Sequence, residues 1–356
     1  MKSEQCCLLL LIVFLFVFCK NGPEPNINQN PLKPQKSKNI DEPSDVNTQP
    51  YKTHIIDREG VILKEDTSKS AKVLGHLSYG TQVKVYDSTS NWLGIWVTID
   101  RVKTMPDGIK YNQQEEEKIY ISKRSTGQLT EINLVPSDLN KIVSITRLRE
   151  KTITHIKPQP LQEFLRFELA YKAEYLYNKA NKVEHLLKDS TGVKVKGKLL
   201  TLQFESKQKT YLSEPEKEEH KIEYEYVGQI PVINKYVLRL LFWESMEHSL
   251  IDKTSGEEVV RLHGFPHLSP DGKYLIVFDD SFYKTHPEIE LYTVDGTSIQ
   301  PIVNLAFANW TLPEGAENGF WGKDSYFYIP VIHRNYHEVY GNEIKDKIQY
   351  MRIKVL

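Results

Sequence analysis

The chain has 356 residues, with 46 lysines and arginines against 47 aspartates and glutamates, so its formal net charge is −1. A chain so close to neutrality produces no overall field that attracts nucleic acid, and we therefore discount nucleic-acid partners. Its 20 tyrosines favour strands, and its 40% hydrophobic content is enough for packed cores. The prediction is a mainly β protein of two or three domains of roughly 150 residues, with no cofactor.

The first 19 residues have the character of an export signal. Residues 8–18 are apolar without interruption, but a membrane-spanning helix needs about 20 such residues. The run ends at Cys19, after which the sequence becomes polar. The other cysteines are Cys6 and Cys7, so the chain beyond Cys19 can form no internal disulfide.

This segment resembles a bacterial lipoprotein signal, in which the cysteine after the apolar run becomes the lipidated first residue. The resemblance implies lipidation at Cys19 and anchoring in the bacterial cell envelope, at the outer membrane or a periplasm-facing membrane. Phe18 departs from the small residue that the family has before its cysteine. An uncleaved short anchor or a plain secretion signal is the alternative. Residues 20–52 contain six prolines and are predicted to be a disordered linker.

Three short apolar runs separated by polar turns follow, at residues 61–63, 73–74 and 83–86. Thr81, Val83 and Val85 alternate with polar residues, which indicates a half-buried strand. These runs predict a small antiparallel barrel over residues 53–126.

The order of short motifs in this barrel is also informative. Lys64, the Thr67-Ser68 turn, the 72–75 strand, the Tyr79-Gly80-Thr81 turn and Trp92 follow one another. In this order the segment resembles a bacterial SH3 (SH3b) domain, a binding module found mainly on cell-envelope proteins. We assign its closing strand to Tyr120-Ile121, with a polar loop over residues 99–118.

SH3-type barrels bind peptides through grooves lined by aromatic rings, because rings offer contact area at low entropic cost. The candidate groove residues are Tyr79, Tyr86, Trp92 and Trp96. The alternative places Tyr86 and Trp96 in the core. Trp92 follows Ser90 and Asn91 and is therefore expected to be exposed.

Residues 127–195 are predicted to be a helical connecting segment. Between residues 161 and 188, apolar residues recur at steps of three and four, which predicts one long amphipathic helix. Its apolar stripe is expected to pack against β elements on either side.

Residues 196–356 are predicted to form an antiparallel β-rich domain. Branched and aromatic residues mark strands at 198–204, 222–227, 237–242, 274–278 and 291–294, with turns at 270–273 and 295–297. Residues 268–277 resemble a blade motif of β-propellers of the periplasmic Tol-system type, and residues 320–329 and 236–256 repeat it imperfectly. The region is therefore propeller-like, or a sheet assembly that uses the same turn.

Residues that could carry catalysis or bind metal are few. Cysteine–histidine chemistry is excluded because no cysteine follows Cys19. Two pairs of histidines are four residues apart, His263 with His267 and His333 with His337. This spacing brings two metal ligands together only on a helix. Gly264 and Pro266 oppose a helix at the first pair, and we expect a loop at the second. The pair Asp279-Asp280 is better explained by loop solvation than by acid–base catalysis. No catalytic or metal-binding residue is predicted.

The combined expectation is a non-enzymatic cell-envelope lipoprotein. It would present its SH3b-like module to peptidoglycan peptide or to an envelope protein. One alternative is a cell-wall or glycan hydrolase with a carboxylate-based site in the C-terminal β domain. Another is a structural subunit whose β body docks a partner.

Overall fold

Strands predominate in the computed structural model, which describes residues 49–216, 221–279, 286–313, 319–336 and 341–356. The helical elements in these ranges are short. They are the α-helices α1 (Pro136–Leu139) and α2 (Lys172–Ala180) and the 3-10 helices Lys123–Ser125, Leu129–Glu131, Pro231–Ile233, Arg334–Tyr336 and Gly341–Lys347. The predicted mainly β class is confirmed.

The strands fall into an N-terminal group and a larger body. The N-terminal strands are β1 (Tyr51–Ile55), β2 (Val61–Lys64), β3 (Val73–Leu77), β4 (Gln82–Ser88), β5 (Trp92–Thr104), β6 (Lys110–Ser122) and β7 (Thr126–Gly127). The next are β8 (Lys141–Arg147), β9 (Thr152–Pro160), β10 (Leu165–Ala170), β11 (Val193–Lys196), β12 (Leu199–Gln203) and β13 (Gln208–Leu212). They are followed by β14 (Glu223–Ile230), β15 (Lys235–Leu241), β16 (Met246–Asp252), β17 (Glu258–Leu262), β18 (Pro266–Leu268) and β19 (Tyr274–Asp279). The last are β20 (Glu288–Asp295), β21 (Ser298–Phe307), β22 (Trp310–Thr311), β23 (Phe320–Trp321), β24 (Phe327–His333) and β25 (Gln349–Val355).

Sheet A contains the seven N-terminal strands in the order β3-β2-β6-β5-β4-β1-β7. One face of this sheet forms its own core, with Ile55, Val85, Ile95, Ile119 and Ile121 each at most 1% exposed. All residues of this core belong to sheet A. The sheet must therefore curl so that its own strands cover the core. Strands β3 and β7 remain its two edges, so the predicted barrel is curled but not closed by hydrogen bonds.

The polar loop expected over residues 99–118 is wrong, because β5 and β6 continue there as one long hairpin. Their register runs from Trp92 opposite Ser122 to Thr104 opposite Lys110. The Arg101 guanidinium donates to Glu117 at 2.5 and 2.7 Å, and Lys103 pairs with Glu115. Cross-strand pairs of opposite charge stabilise antiparallel strands. These pairs explain why the polar residues 99–118 form paired strands instead of a loop.

Four sheets, B to E, form the body. They are layered in the order C, B, D, E, and neighbouring layers share a core. Sheet B has the order β18-β19-β20-β21-β8-β9, and sheet C the order β10-β25-β24-β22 with β23 also on β24. Sheet D has the order β14-β15-β16-β17, and sheet E the order β11-β12-β13. One core joins sheets B and C, a second joins B and D, and a third joins D and E.

Strand β19 illustrates how sheet B is buried on both faces. Leu275 and Val277 lie in the core shared with sheet D, whereas Ile276 and Phe278 lie in the core shared with sheet C. Successive side chains of a strand point to opposite faces, so a continuous apolar run fits a layer with cores on both sides. The five predicted strands of this region and the turns before β19 and after β20 are confirmed. The likeness of these sheets to propeller blades stays a prediction.

The predicted long helix over residues 161–188 is wrong for most of its length. Residues Leu165–Ala170 form β10, which pairs with β25, and only Lys172–Ala180 are helical. Leu161, Leu165 and Leu169 are four residues apart, and a step of four is also a multiple of the two-residue strand period. Pairing with β25 and burial in the core between sheets B and C therefore select the strand.

The remainder of the predicted helical segment 127–195 also supplies strands to the body. Strands β8 and β9 extend sheet B next to β21, and β10 is the outer strand of sheet C. Residues 141–170 thus belong to the same layers as residues beyond 196. The described residues from 49 onward together form one compact unit.

Candidate binding site

Alternation along β5 separates the core of sheet A from its outer face. Leu93 and Ile95 are 1% exposed in the core, whereas Trp96 is 50% exposed on the opposite side. The register places Gly94 opposite Tyr120 and Trp92 opposite Ser122. Trp92, Trp96 and Tyr120 therefore share the outer face of the hairpin.

The neighbouring strand β4 adds a fourth ring to this face. Val85 is buried, and the next residue, Tyr86, is 38% exposed on the outer side. The alternative that placed Tyr86 and Trp96 in the core is therefore wrong. Trp92 is partly exposed. We define the aromatic face as Tyr86, Trp92, Trp96 and Tyr120.

Lysine ammonium groups lie over three of these rings. Lys64 Nζ is 5.3 Å from the centroid of Trp92, Lys84 Nζ is 5.1 Å from Tyr86, and Lys118 Nζ is 5.7 Å from Tyr120. Attraction between a cation and the negative face of a ring operates at these distances. Each of these three rings therefore has a positive charge close to its face.

A glycine lies at the middle of the aromatic face. A Cβ on Gly94 would come within 3.0 Å of Lys118 Cε and 3.1 Å of Asp87 Cγ. Lys118 and Asp87 form an ion pair across this position. A side chain at position 94 would press against that pair, which crosses the sheet between the two tryptophans of β5.

A cleft of about 860 Å³ adjoins Trp92 at one end of sheet A. Trp92 is set by the preceding turn, because its N–H donates to Thr89 Oγ1 at 3.1 Å and its carbonyl accepts from Thr89 N–H at 2.9 Å. Asn91 and Lys123 are joined by a 2.9 Å backbone hydrogen bond at the mouth of the cleft. The cleft is lined by Trp92, by one carboxylate and by four cationic side chains: Asp57, Lys64, Lys69, Lys123 and Arg124.

Tyr79, the fourth predicted groove residue, lies elsewhere. Its hydroxyl accepts from Asn133 N–H at 2.8 Å and lies 3.1 Å from the Asn133 carbonyl. Its ring meets His333 edge-on at 6.1 Å, and the Arg58 guanidinium lies 4.0 Å above it. Tyr79 thus ties sheet A to the body, and the prediction that it joins the other three in one groove is wrong.

The contact between sheet A and the body is tight at Gly80. The Gly80 carbonyl accepts a hydrogen bond from Asn335 Nδ2, and a Cβ on Gly80 would lie 2.7 Å from Cε1 of His333. His333 is 5% exposed, and burial lowers its pKa to about 4. Its ring is therefore neutral at pH 7, while the nearby Arg58 guanidinium over Tyr79 carries a charge.

Replacing Gly80 by alanine is expected to cost about 1–2 kcal/mol more than replacing Gly108. Both have positive φ, 80° and 85°, so alanine suffers the same backbone strain at each. A Cβ on Gly108 would meet nothing within 4 Å, so the difference reports the contact with His333. Denaturant titration of both variants measures it, and equal losses would contradict a tight interface.

The two histidines of the first pair, His263 and His267, have separate contacts in the part of the chain that the structure describes. His263 Nδ1 lies 2.5 Å from Glu290 Oε1, while His267 packs between Phe265 and Phe327, and burial lowers its pKa to about 3. The described residues contain no group of three or more candidate ligands. His337, the partner of His333, and Asp280, the partner of Asp279, lie outside the described residues.

Carboxylates of the body serve mainly to join its elements. Tyr328, which is fully buried, has its hydroxyl 3.1 Å from Glu174 Oε1 and 2.7 Å from Asp324 Oδ2. Arg352 donates to Glu174 at 2.5 Å, so this cluster holds α2 against sheet C. Two clefts of the body contain one carboxylate each, Glu184 and Glu288. Carboxylate-based glycan hydrolysis uses a pair; neither of these two clefts supplies one, whereas the cleft between sheet A and the body is lined by Glu59 and Asp138.

The predicted lipidation site Cys19 and residues 1–48 lie outside the described residues. Among the helices in the described part of the chain, none has the length and apolar character needed to span a membrane. Searches against family models, curated proteins and solved structures return no match to this chain. The candidate site therefore rests on its own geometry.

Sequence reasoning missed Tyr120 as a member of the site. The register of β6 with β5, in which Tyr120 lies opposite Gly94, places Tyr120 on the outer face, and this register is not visible in the sequence. The available signal was the alternation of Ile119 and Ile121, buried, with Tyr120 between them.

Proposed function

We propose that this chain is a non-enzymatic binding protein of the bacterial cell envelope, and that the aromatic face of sheet A binds an extended peptide. The peptide would belong to peptidoglycan or to an envelope protein. Four aromatic rings on one face, with lysines over three of them, carry this proposal. An exposed group of rings of this kind is typical of a peptide-binding surface rather than of a core.

The chemistry of the face suits a peptide better than a small molecule. Trp96 and Tyr86 offer flat apolar area with few rotamers to immobilise, so little entropy is lost on binding. The ammonium groups over three of the rings can interact with the polar backbone of an extended ligand. Attachment at Cys19 and the 20–52 linker would hold this surface away from the membrane. That part of the proposal rests on the sequence.

Replacing Trp96 by alanine is expected to weaken binding by about tenfold or more, because a tryptophan that anchors an interface contributes roughly 2 kcal/mol. Trp96 is half-exposed, so the variant should fold. The measurements are co-sedimentation with purified peptidoglycan sacculi and calorimetric titration with a synthetic stem peptide.

Trp243→Ala is the matched control. Trp243 is 65% exposed on the body, so its removal deletes an exposed tryptophan away from sheet A and should leave binding unchanged. If the wild-type protein neither co-sediments nor binds the stem peptide, peptidoglycan is not its ligand; if Trp96→Ala binds as the wild type does, the aromatic face is not the binding site.

A further inference from the structure

The cleft beside Trp92 contains more positive than negative charge. Lys64, Lys69, Lys123 and Arg124 line it, and Asp57 is its one lining carboxylate. The whole chain has a net charge of −1, so this excess is local.

None of the four cations forms a salt bridge within the described residues, although Lys64 interacts with Asp66 at longer range. Lys123 Nζ donates to the neutral Ser88 Oγ at 3.2 Å, and Lys64 lies over the Trp92 ring. Asp57 is occupied by neutral donors, since Oδ1 accepts from Glu59 N–H at 3.2 Å and Oδ2 from Ser125 Oγ at 3.3 Å. The charge of the cleft is thus largely uncompensated.

Some cations elsewhere on sheet A have carboxylate partners, whereas Lys52, Lys84 and Lys110 form no ion pair in the described part of the chain. Arg101, Lys103 and Lys118 are each paired with a carboxylate of the same sheet. What distinguishes the cleft is that four cations line one cavity. Nearby, Asp66 lies outside the lining, and its pKa is lowered first by hydrogen bonds from Ser68 and to a smaller extent by Lys64.

Neutral hydrogen-bond donors complete the lining of the cleft. They are Thr67, Ser68, Ser90, Asn91 and Ser122. A carboxylate accepts from hydroxyl, amide and ammonium donors together, and hydrogen bonds to an ionised acceptor are stronger than neutral ones. The donor set therefore fits a carboxylate better than an apolar or cationic group.

We propose that this cleft binds a carboxylate of the extended peptide whose apolar part lies on the aromatic face. The inference rests on the proposed function, because Trp92 belongs both to that face and to the cleft. It makes the site selective for acidic peptides. The carboxylate can come from a peptidoglycan stem peptide or from an acidic segment of a protein.

The test compares wild-type protein with Lys69→Gln/Arg124→Gln in calorimetric titrations. Both residues are exposed, so their replacement should not impair folding. The probes are a synthetic stem peptide with free carboxylates, an acidic protein-type peptide, and the fully amidated form of each. We expect the wild type to bind at least one acid form about tenfold more tightly than its amide, and high salt to reduce that preference. The double variant should bind the acid and amide forms alike.

Lys194→Gln/Lys196→Gln on β11 is the control, because it removes the same charge from exposed positions on the body and should retain the preference. Equal wild-type affinity for acid and amide forms, with Trp96→Ala weakening both, overturns the carboxylate inference and leaves the proposed function standing. Failure of the wild type to bind any of the peptides overturns both. The acid peptide that is preferred identifies the source of the carboxylate.

Discussion

Replacing Trp310 by alanine is expected to lower the free energy of unfolding by about 3–5 kcal/mol, the usual cost of truncating a buried tryptophan. Trp310 is fully buried, and its ring lies 4.8 Å from that of Phe307 in the core between sheets B and C. Its Nε1–H donates to the Leu139 carbonyl at 2.9 Å, so α1 is attached to the core through this side chain. Denaturant titration measures the loss.

Two further variants separate the causes of that loss. Trp310→Phe keeps a ring but removes the donor to Leu139, and should cost about 1–3 kcal/mol. Trp243→Ala deletes a tryptophan that is 65% exposed and should change stability little. If Trp310→Ala were no more destabilising than Trp243→Ala, the shared core of sheets B and C would not be the main source of stability.

Replacing Asp252 by asparagine is expected to destabilise the protein by about 3 kcal/mol. Lys235 is fully buried, and its ammonium donates to Asp252 Oδ2 at 2.7 Å across β15 and β16. Removing the carboxylate leaves a buried cation without its counter-charge, which is costly. The double variant Lys235→Met/Asp252→Asn removes both charges and should recover most of the loss.

The same pair should make stability depend on acid pH. The hydrogen bond from Lys235 lowers the pKa of Asp252 from about 3.8 to about 2. Because the folded-state pKa is the lower one, the contribution is complete above about pH 4 and is lost as pH falls toward about 2. Asp252→Asn should flatten the unfolding free energy in this range.

Glu216→Gln is the control for Asp252→Asn. The Lys198–Glu216 pair has the same 2.7 Å separation, but its side chains are 49% and 82% exposed. Solvent screens such a pair, so its removal should have no measurable effect. Equal losses in Asp252→Asn and Glu216→Gln would mean that burial of Lys235 does not strengthen its dependence on Asp252.

Strands with one exposed face were predictable from the sequence. Val83 and Val85 alternate with polar residues in β4, and the turn at Gly272 is marked by its neighbours Pro270 and Asp271. Local chemistry was sufficient in both places. A strand with one wet face displays its period directly, and a turn that needs positive φ favours glycine, here at 73°.

The strand β10 was not predictable in the same way. Leu165 and Leu169 fit a helical stripe and one face of a strand equally well. The strand is selected by pairing with β25, in which Leu169 lies opposite Met351, a residue 182 positions further along the chain. Likewise, nothing local to Thr98 or Glu116 distinguished a loop from a ladder until the two strands met.

Some features of the candidate site were also predictable from the sequence, whereas others depended on the tertiary structure. The sequence by itself determined that Tyr79, Tyr86, Trp92 and Trp96 fall within one segment of alternating apolar and polar residues, that the chain is mainly β, and that cysteine chemistry is absent beyond Cys19. Only the tertiary structure decided that Tyr79 joins sheet A to the body and that Tyr120 lies on the face of Trp92 and Trp96. The reason is that composition and period are local properties, whereas the face on which a side chain lies depends on strand register and on what covers the sheet.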